Sequence, residues 1–284
     1  MKRICVAAAL VAVAAVLTSG CVVITNAKPE GAGPSAGVAA PKLEPAKGPA
    51  VAAPPFDLPR LTEPPALDGE LKEWKSAAFV PIHLPSQADP RESGHTWRGP
   101  ADASIDAWIA WNDQGLCVAM IGYDDEITND PAKGLWQQDS LKLYLDLRQS
   151  AELGTLPRSP GLCAFYMAPP PDDGKAHDLA TTAANGEIAG LKVVGKRVKG
   201  GVAAEILIPW AAFPMFTPKV GSPLDVQFGL NDLDSADTNG QNPLQVSQRG
   251  GLAPMDNPDT MIRWVLADTI KNRAGQEQYF QTAE

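Results

Sequence analysis

Apolar and polar residues alternate along several short segments of this chain, and that alternation limits what the chain can fold into. Residues 103–111 read ASIDAWIAW, in which every second side chain is apolar. Residues 140–147 read SLKLYLDL, with the leucines on one side and Lys142, Tyr144 and Asp146 on the other. Successive side chains of a β-strand point to opposite faces, so a period of two predicts strands with one face in a core.

Turn signals separate these segments. Residues 112–115 (NDQG) lie between 103–111 and a second apolar run at 116–123, which predicts a β-hairpin with Gly115 at positive φ. Further strands are predicted at residues 162–168, 191–198, 202–208, 224–233 and 261–266, with one helical turn at 209–213. About eight or nine antiparallel strands predict an all-β fold, a single antiparallel β-sandwich of the immunoglobulin or jelly-roll kind.

The N-terminus has the features of an export signal. Lys2-Arg3 precedes an apolar run at residues 4–17, and small residues precede Cys21. Spanning a bilayer takes about 20 apolar residues, so this run is too short for a transmembrane helix. Ser19-Gly20-Cys21 resembles the lipobox of bacterial lipoproteins, which implies a signal peptide at residues 1–20 and a lipid on Cys21. The alternative is an ordinary cleaved signal followed by an unmodified cysteine.

A disordered tether is predicted at residues 21–60, because this segment is rich in Pro, Ala and Gly and nearly lacks large apolar residues. Such a composition cannot bury enough surface to offset the entropy lost on folding. The predicted sandwich occupies residues 61–270, and residues 271–284 are predicted to be a C-terminal tail. The expected protein is an outer-membrane or cell-surface lipoprotein whose domain faces the periplasm or the exterior.

Charge and residue types disfavour several classes of function. The chain has 24 Lys and Arg against 33 Asp and Glu, a net charge of −9, which disfavours nucleic acid as a partner. Its histidines are scattered, and neither a Cys-x-x-Cys spacing nor a glycine-rich phosphate loop occurs, so no zinc site or phosphate site is expected. Two interpretations of Cys117 and Cys163 stay open, a disulfide in an oxidising compartment or two buried small side chains.

Several short motifs, in order, resemble family 9 carbohydrate-binding modules and their DOMON-like sandwich relatives. The most specific is LWQQDSLKLYLD at residues 135–146, in which Asp139 is expected to bond backbone N–H groups at the turn into the strand. The others are PALDGELKEW (65–74), AWIAWNDQGLCVA (107–119), YDDE (123–126), GVAAEILIPW (201–210) and FGLND (228–232). The resemblance implies the family's β-sandwich and the binding of a sugar.

The resemblance also implies the residues of a sugar site. Family members hold a sugar ring between two tryptophans. The first corresponds here to Trp136 and the second to Met255 or Pro254, and a methionine offers less flat area. The family's sugar-bonding carboxylate corresponds to Lys142, and a polar residue of the penultimate strand corresponds to Gly229. Gln138 and Asn231 complete the implied carbohydrate-binding residues.

A calcium site is the second implication, since some family members bind calcium. Its expected ligands are acidic residues of a predicted loop, Asp232, Asp234 and Asp237, with a second acidic group at residues 124–126. Carboxylate oxygens in loops are the ligands that calcium prefers. Solvated acidic loops are the alternative, and no other cofactor is expected.

Three functions follow as hypotheses. The first is carbohydrate binding without catalysis by a membrane-anchored lipoprotein, associated with carbohydrate catabolism and partnered by a glycoside hydrolase or a transporter. No nucleophile-and-base pair is recognisable, so no enzyme activity is expected. The second is a structural or assembly lipoprotein that kept the sandwich and lost the sugar. The third is a haem-binding electron-transfer module like those among DOMON-like proteins, with its axial ligand drawn from Met120, Met167, Met215 or Met255.

Overall fold

The computed structural model describes residues 55–89, 96–130, 132–148, 151–155, 157–179, 181–184, 187–234, 244–248 and 254–282. The predicted signal peptide, Cys21 and the tether up to residue 54 therefore lie outside the described residues. The described residues belong to one compact unit and form two β-sheets packed face to face around a single main core. This architecture is the predicted all-β sandwich.

The strands, numbered along the chain, have the following bounds: β1 Phe56–Pro59, β2 Ala78–Ile82, β3 Ala88–Asp89, β4 Ala103–Trp111, β5 Gly115–Asp124, β6 Ser140–Asp146, β7 Leu162–Met167, β8 His177–Asp178, β9 Thr181–Ala184, β10 Lys192–Val198, β11 Gly201–Pro209, β12 Pro223–Asp232, β13 Leu244–Ser247 and β14 Ile262–Ala267. One α-helix, α1, covers Arg273–Thr282. The helical turn predicted after β11 is the 3-10 helix Trp210–Ala212.

The strands divide into a large and a small sheet. The large sheet has the order β1-β14-β12-β6-β7-β9, with β13 pairing with β12 and β3 pairing with β13. The small sheet has the order β2-β4-β5-β11-β10-β8. The β1–β14 pair is parallel, and every other strand pair among the described residues is antiparallel.

The alternating segments bury their apolar side chains between the sheets, as predicted. Ile105 and Ile109 of β4 and Leu143 and Leu145 of β6 are fully buried in the main core. Each such aliphatic side chain contributes roughly 1.5–3 kcal/mol on burial. The core is therefore built by the same period of two that is visible in the sequence.

The predicted hairpin is confirmed as β4–β5, but its turn differs at Gly115. Asn112 Oδ1 accepts the N–H groups of Gln114 and Gly115 at 2.8 and 3.1 Å, which shapes the turn. Gly115 does not have the predicted positive φ. A glycine is required there because a Cβ would lie 2.2 Å from the carbonyl oxygen of Ile208 in β11.

Both predicted ends of the sandwich need correction. The sandwich starts at Phe56 and not at residue 61, because β1, assigned to the tether, pairs with β14. The predicted tail at 271–284 contains α1, whose Phe280 is buried in the core and stacks on Trp264 with ring centroids 5.7 Å apart. Gln276 of α1 also exchanges two hydrogen bonds with the backbone of Asp57. No helix in the described part of the chain is long and apolar enough to cross a membrane.

The disulfide interpretation of Cys117 and Cys163 is wrong, since both thiols are free and buried. Cys117 lies on the outer side of the small sheet in a cluster with Trp74, whereas Cys163 of the large sheet belongs to the main core. Burial raises the pKa of the Cys117 thiol to about 12 and that of Cys163 to about 11. The two cysteines are therefore small apolar packing residues that resist ionisation.

Candidate functional site

A row of outward-facing side chains crosses four strands of the large sheet. Tyr166 of β7 pairs with Lys142 of β6, Lys142 pairs with Gly229 of β12, and Gly229 pairs with Ser247 of β13. These residues face away from the core because their strand neighbours belong to it. We call this surface the polar face, comprising Lys142, Tyr144, Tyr166, Gln227, Gln245 and Ser247.

Trp136 is an exposed aromatic residue in the loop before β6, at one end of the polar face. Its side chain is 55% exposed, while the other six tryptophans of the chain are buried or half-buried. Asn231 Nδ2 donates to the carbonyl oxygen of Trp136 at 3.2 Å. Asn231 is also the register partner of Gln245, which ties the Trp136 loop to the polar face. The indole folds back against Gly134, where a Cβ would lie 2.9 Å from Trp136 Nε1.

Several polar atoms of this surface are buried without a hydrogen-bond partner in the described part of the chain. They are both amide atoms of Gln227, the hydroxyl of Ser247 and the side-chain oxygen of Asn231. Leaving a buried polar atom unpaired costs roughly 1–3 kcal/mol, so hydroxyl groups of a ligand would be stabilised here. Tyr166 and Gln245, near opposite edges of the surface, are its partly exposed members.

Met255 covers the tyrosine end of the polar face. It packs with Tyr144 and Met261 in a small apolar cluster outside the main core, with Tyr166 against it. The hydroxyls of Tyr144 and Tyr166 lie 3.4 Å apart. Burial raises the pKa of Tyr144 well above its ordinary value, so the phenol stays neutral. The main-chain N–H of Arg158 donates to the Met255 carbonyl at 3.0 Å and fixes the methionine in place.

Four of the implied sugar-site residues meet at this surface, namely Trp136, Lys142, Asn231 and Met255. Gln138 does not reach it. Its side chain is buried in the loop before β6, where Gln138 Oε1 accepts the N–H of Asp130 at 2.6 Å. Gln138 therefore orders the loop that carries Trp136.

Sequence reasoning missed Tyr166, Gln227, Gln245 and Ser247. Alternation within each strand was the available signal, since it predicts which side chains share a face. It does not indicate that β6 and β12 are neighbours, because those two strands pair across about 80 to 90 residues of chain. The composition of the polar face depends on that pairing.

A group of carboxylates, the acidic cluster, closes one end of the core. Asp124 ends β5 of the small sheet and Asp232 ends β12 of the large sheet, so the last residues of both sheets meet there. Arg98 Nη2 lies 2.6, 3.2 and 2.6 Å from carboxylate oxygens of three members of the cluster. The members are Asp102, Asp124, Asp125, Asp139, Asp232 and Asp234, of which all but Asp125 are buried.

Burial and mutual repulsion disfavour the charged forms of these carboxylates. The pKa of Asp124 rises to about 8 and that of Asp232 to about 9, first through desolvation and then through neighbouring carboxylates. Desolvation also raises the pKa of Asp139 to about 7, against the opposing effect of backbone hydrogen bonds. Asp139 accepts the N–H groups of Leu233, at 2.6 Å, and Thr128, which confirms its predicted turn-organising role.

The implied calcium fits one part of this cluster. Asp124, Asp232 and Asp234 each offer a carboxylate oxygen within 4.8 Å of the others, and all three are buried. That separation matches oxygens bound to one calcium ion at 2.3–2.6 Å. A second group with equal spacing, Asp102, Asp125 and Asp234, already pairs with the Arg98 guanidinium. Of the predicted ligands, Asp232 and Asp234 come together, and Asp237 lies outside the described residues.

Two of the family-like motifs meet at Glu205 on the outer side of the small sheet. Glu205 is fully buried and accepts the N–H groups of Asp68 and Gly69 at 2.9 and 2.7 Å. It also accepts the indole N–H of Trp74 at 2.8 Å. Desolvation raises the pKa of Glu205, and these hydrogen bonds oppose the shift. The motifs at 65–74 and 201–210 therefore hold the fold together and take no part in the polar face.

No protein-family model and no curated protein matches this sequence. Solved structures do match it. A family 9 carbohydrate-binding module from Caldicellulosiruptor kristjanssonii in complex with cellotriose aligns with a TM-score of 0.57 and 16% identity, over 77% of this chain and 96% of that chain. A family 9 module of the same organism in complex with glucose gives 0.58 and 17%, over 77% and 98%. This chain has the fold of family 9 carbohydrate-binding modules, as its motifs predicted.

Proposed function

We propose that this sandwich is a non-catalytic carbohydrate-binding domain and that its ligand lies on the polar face beside Trp136. The exposure of Trp136 carries the proposal, because a large aromatic side chain is normally buried and this one borders a set of unpaired polar atoms. A sugar needs such a combination, since its ring has an apolar C–H face and its hydroxyls need hydrogen-bond partners. The solved modules of the same fold, in complex with cellotriose and with glucose, support this proposal.

A glycan array followed by isothermal titration calorimetry tests this function. Replacing Trp136 by alanine should weaken binding of the best glycan at least tenfold, about 1.4 kcal/mol, because a stacking surface is lost. The melting temperature should stay unchanged, because an exposed side chain contributes little to folding. Val220→Ala is the matched control, since Val220 is another exposed apolar side chain, 53% exposed, outside the polar face.

Three outcomes would speak against glycan binding. A parent protein that binds no glycan on the array would favour the structural or assembly lipoprotein. Unchanged glycan affinity in Trp136→Ala would place the ligand elsewhere. A Soret band after haem reconstitution would favour the electron-transfer module, although Met120 and Met167 are packed inside the main core.

We further propose that the chain is exported and anchored through a lipid on Cys21, at the outer membrane or cell surface. The export signal and the cysteine after Ser19-Gly20 support this location. A proline-rich tether would hold the sandwich away from the lipid, where a glycan ligand and a glycoside hydrolase or transporter are accessible. This arrangement fits a role in carbohydrate catabolism.

Labelling cells with a radioactive fatty acid tests the anchor. The parent chain should carry the label and sediment with membranes, and Cys21→Ala should lose both properties. Cys117→Ala is the control, because that thiol is buried. An unlabelled parent chain in the soluble fraction would mean that the signal is an ordinary cleaved one.

A further inference from the structure

Lys142 is a buried cation whose only hydrogen-bond partner among the described residues is neutral. Its side chain is 2% exposed, and its Nζ donates to the amide oxygen of Gln245 at 3.2 Å. Desolvation lowers the pKa of Lys142 to about 7, and no carboxylate contributes to that shift. A buried ammonium group without a counter-ion is strongly disfavoured, so this position would be stabilised by an anion.

Buried charges elsewhere on the same outer surface are compensated. Arg148 donates to both carboxylate oxygens of Asp146, at 2.8 and 2.5 Å. Arg263 donates in the same bidentate way to Asp225, which pairs with Asp146 across β6 and β12. Among the described residues, the surface therefore matches acids with bases at the Asp146 end and leaves Lys142, toward the end where Asn231 bonds the Trp136 carbonyl, without a carboxylate partner.

The space around Lys142 is shaped for its side chain. Lys142 extends across β12 toward β13, and Gly229 is the residue that it crosses. A Cβ at Gly229 would lie 2.9 Å from Lys142 Cε, so a larger residue would displace the lysine. The ammonium group thus sits beside Gln245, with the unpaired atoms of Gln227 and Ser247 in neighbouring register positions.

We propose that Lys142 makes the polar face a site for acidic sugars, in which the carboxylate of a uronic acid pairs with the ammonium group. The hydroxyls of the same sugar would bond the unpaired atoms of Gln227 and Ser247, and its ring would approach Trp136. This inference rests on the proposed glycan binding and specifies its ligand class.

The groups around Lys142 predict how an acidic ligand would respond to pH. The titratable neighbours are Tyr166 and Tyr144 and, one strand further out, Asp89 of β3, which is the register partner of Gln245. Gln227 and Gln245 carry no charge, and Asp225 at the far end of β12 is paired with Arg263. A uronate stays ionised above pH 6. Its binding favours the protonated lysine, so affinity should fall as the pH rises above about 7.

Titration calorimetry with glucose and glucuronic acid tests the ligand class, because the two sugars differ only at the C6 carboxylate. An array of neutral oligosaccharides and their uronic-acid counterparts extends the comparison. At pH 6 the acidic member of a pair should bind at least tenfold more tightly. Lys142→Gln should abolish this preference, so that the acidic and the neutral member bind that variant with affinities within about twofold of each other, whereas the exposed-lysine control Lys199→Gln should retain the preference.

A measurement on the parent protein alone covers the case in which Lys142→Gln fails to fold. Between pH 6 and pH 9 the affinity for the acidic sugar should fall at least tenfold while that for the neutral sugar stays constant. Equal affinities for neutral and acidic sugars would overturn the acidic-ligand proposal and leave carbohydrate binding intact. Binding of neither class would overturn both proposals.

Discussion

Individual buried charges in this protein are stabilised in different ways according to their role. Glu205 accepts three hydrogen bonds from the motif at 65–74, which is distant from it in sequence, so its charge is compensated by the fold itself. Lys142 has one neutral hydrogen-bond partner among the described residues, and the proposed acidic ligand would compensate its charge. At the residue scale, a satisfied buried charge marks a structural position, and an unsatisfied one marks a position for a ligand.

Replacing Glu205 by alanine should reduce the free energy of unfolding by about 3 kcal/mol, because two buried donors and one partly buried donor lose their acceptor. Urea denaturation of the parent and the variant measures the change. Glu187→Ala is the control, since Glu187 is exposed, and its effect should stay within about 0.5 kcal/mol. A Glu205→Ala variant as stable as the control would show that the motif contacts contribute nothing to stability.

At the scale of elements, the predictability of each strand follows from its length and surroundings. Long strands with one face in the core, such as β4 and β6, are evident from alternation. The short strand β1 was missed because its proline-rich flanks resemble a linker, and its partner β14 lies about 200 residues away. The helix α1 was missed because its sequence has few apolar residues, and packing against β1 and β14 stabilises it.

Replacing Phe280 by alanine should cost about 3 kcal/mol of stability, since the ring is buried between Phe56 and Trp264. Thermal denaturation followed by circular dichroism measures this cost. Gln278→Ala, on the exposed side of α1, should melt like the parent. If both variants behaved alike, residues 271–284 would be the loose tail that the sequence predicted.

At the scale of the whole molecule, the end of β12 links the acidic cluster with the polar face. Asn231 points outward and bonds the Trp136 loop, while Asp232, the next residue, belongs to the acidic cluster inside. Asp139 connects the same loop to the backbone of Leu233. Calcium held by the cluster would therefore also order the loop that carries Trp136.

Calcium should raise the melting temperature of the protein and make the melting temperature less dependent on pH. In a chelator, stability should fall as the pH rises from 6 to 9. The folded-state pKa values of Asp139, Asp124 and Asp232, about 7, 8 and 9, exceed the ordinary value of 3.8, so the folded protein binds more protons there. Bound calcium should remove most of this loss of stability, because it compensates the negative charge of the carboxylates.

Differential scanning calorimetry at several pH values, with calcium or with chelator, measures both effects. Asp232→Asn should lose the calcium response and flatten the pH dependence, whereas the exposed control Asp172→Asn should behave like the parent. If the melting temperature of the parent protein did not respond to calcium and rose toward pH 9, the cluster would be a solvated acidic surface.

The amino-acid sequence by itself determined the longer alternating strands, such as β4 and β6, and their inward faces, because the period of two follows from the stereochemistry of each strand. It also indicated that Lys142 and Tyr144 share a face, and its motifs indicated the family fold. Only the tertiary structure decided that Lys142 meets Gln245 beyond Gly229, and that Asp124 meets Asp232. These contacts join strands distant in the chain, and such pairing depends on how two complete sheets pack around their common core.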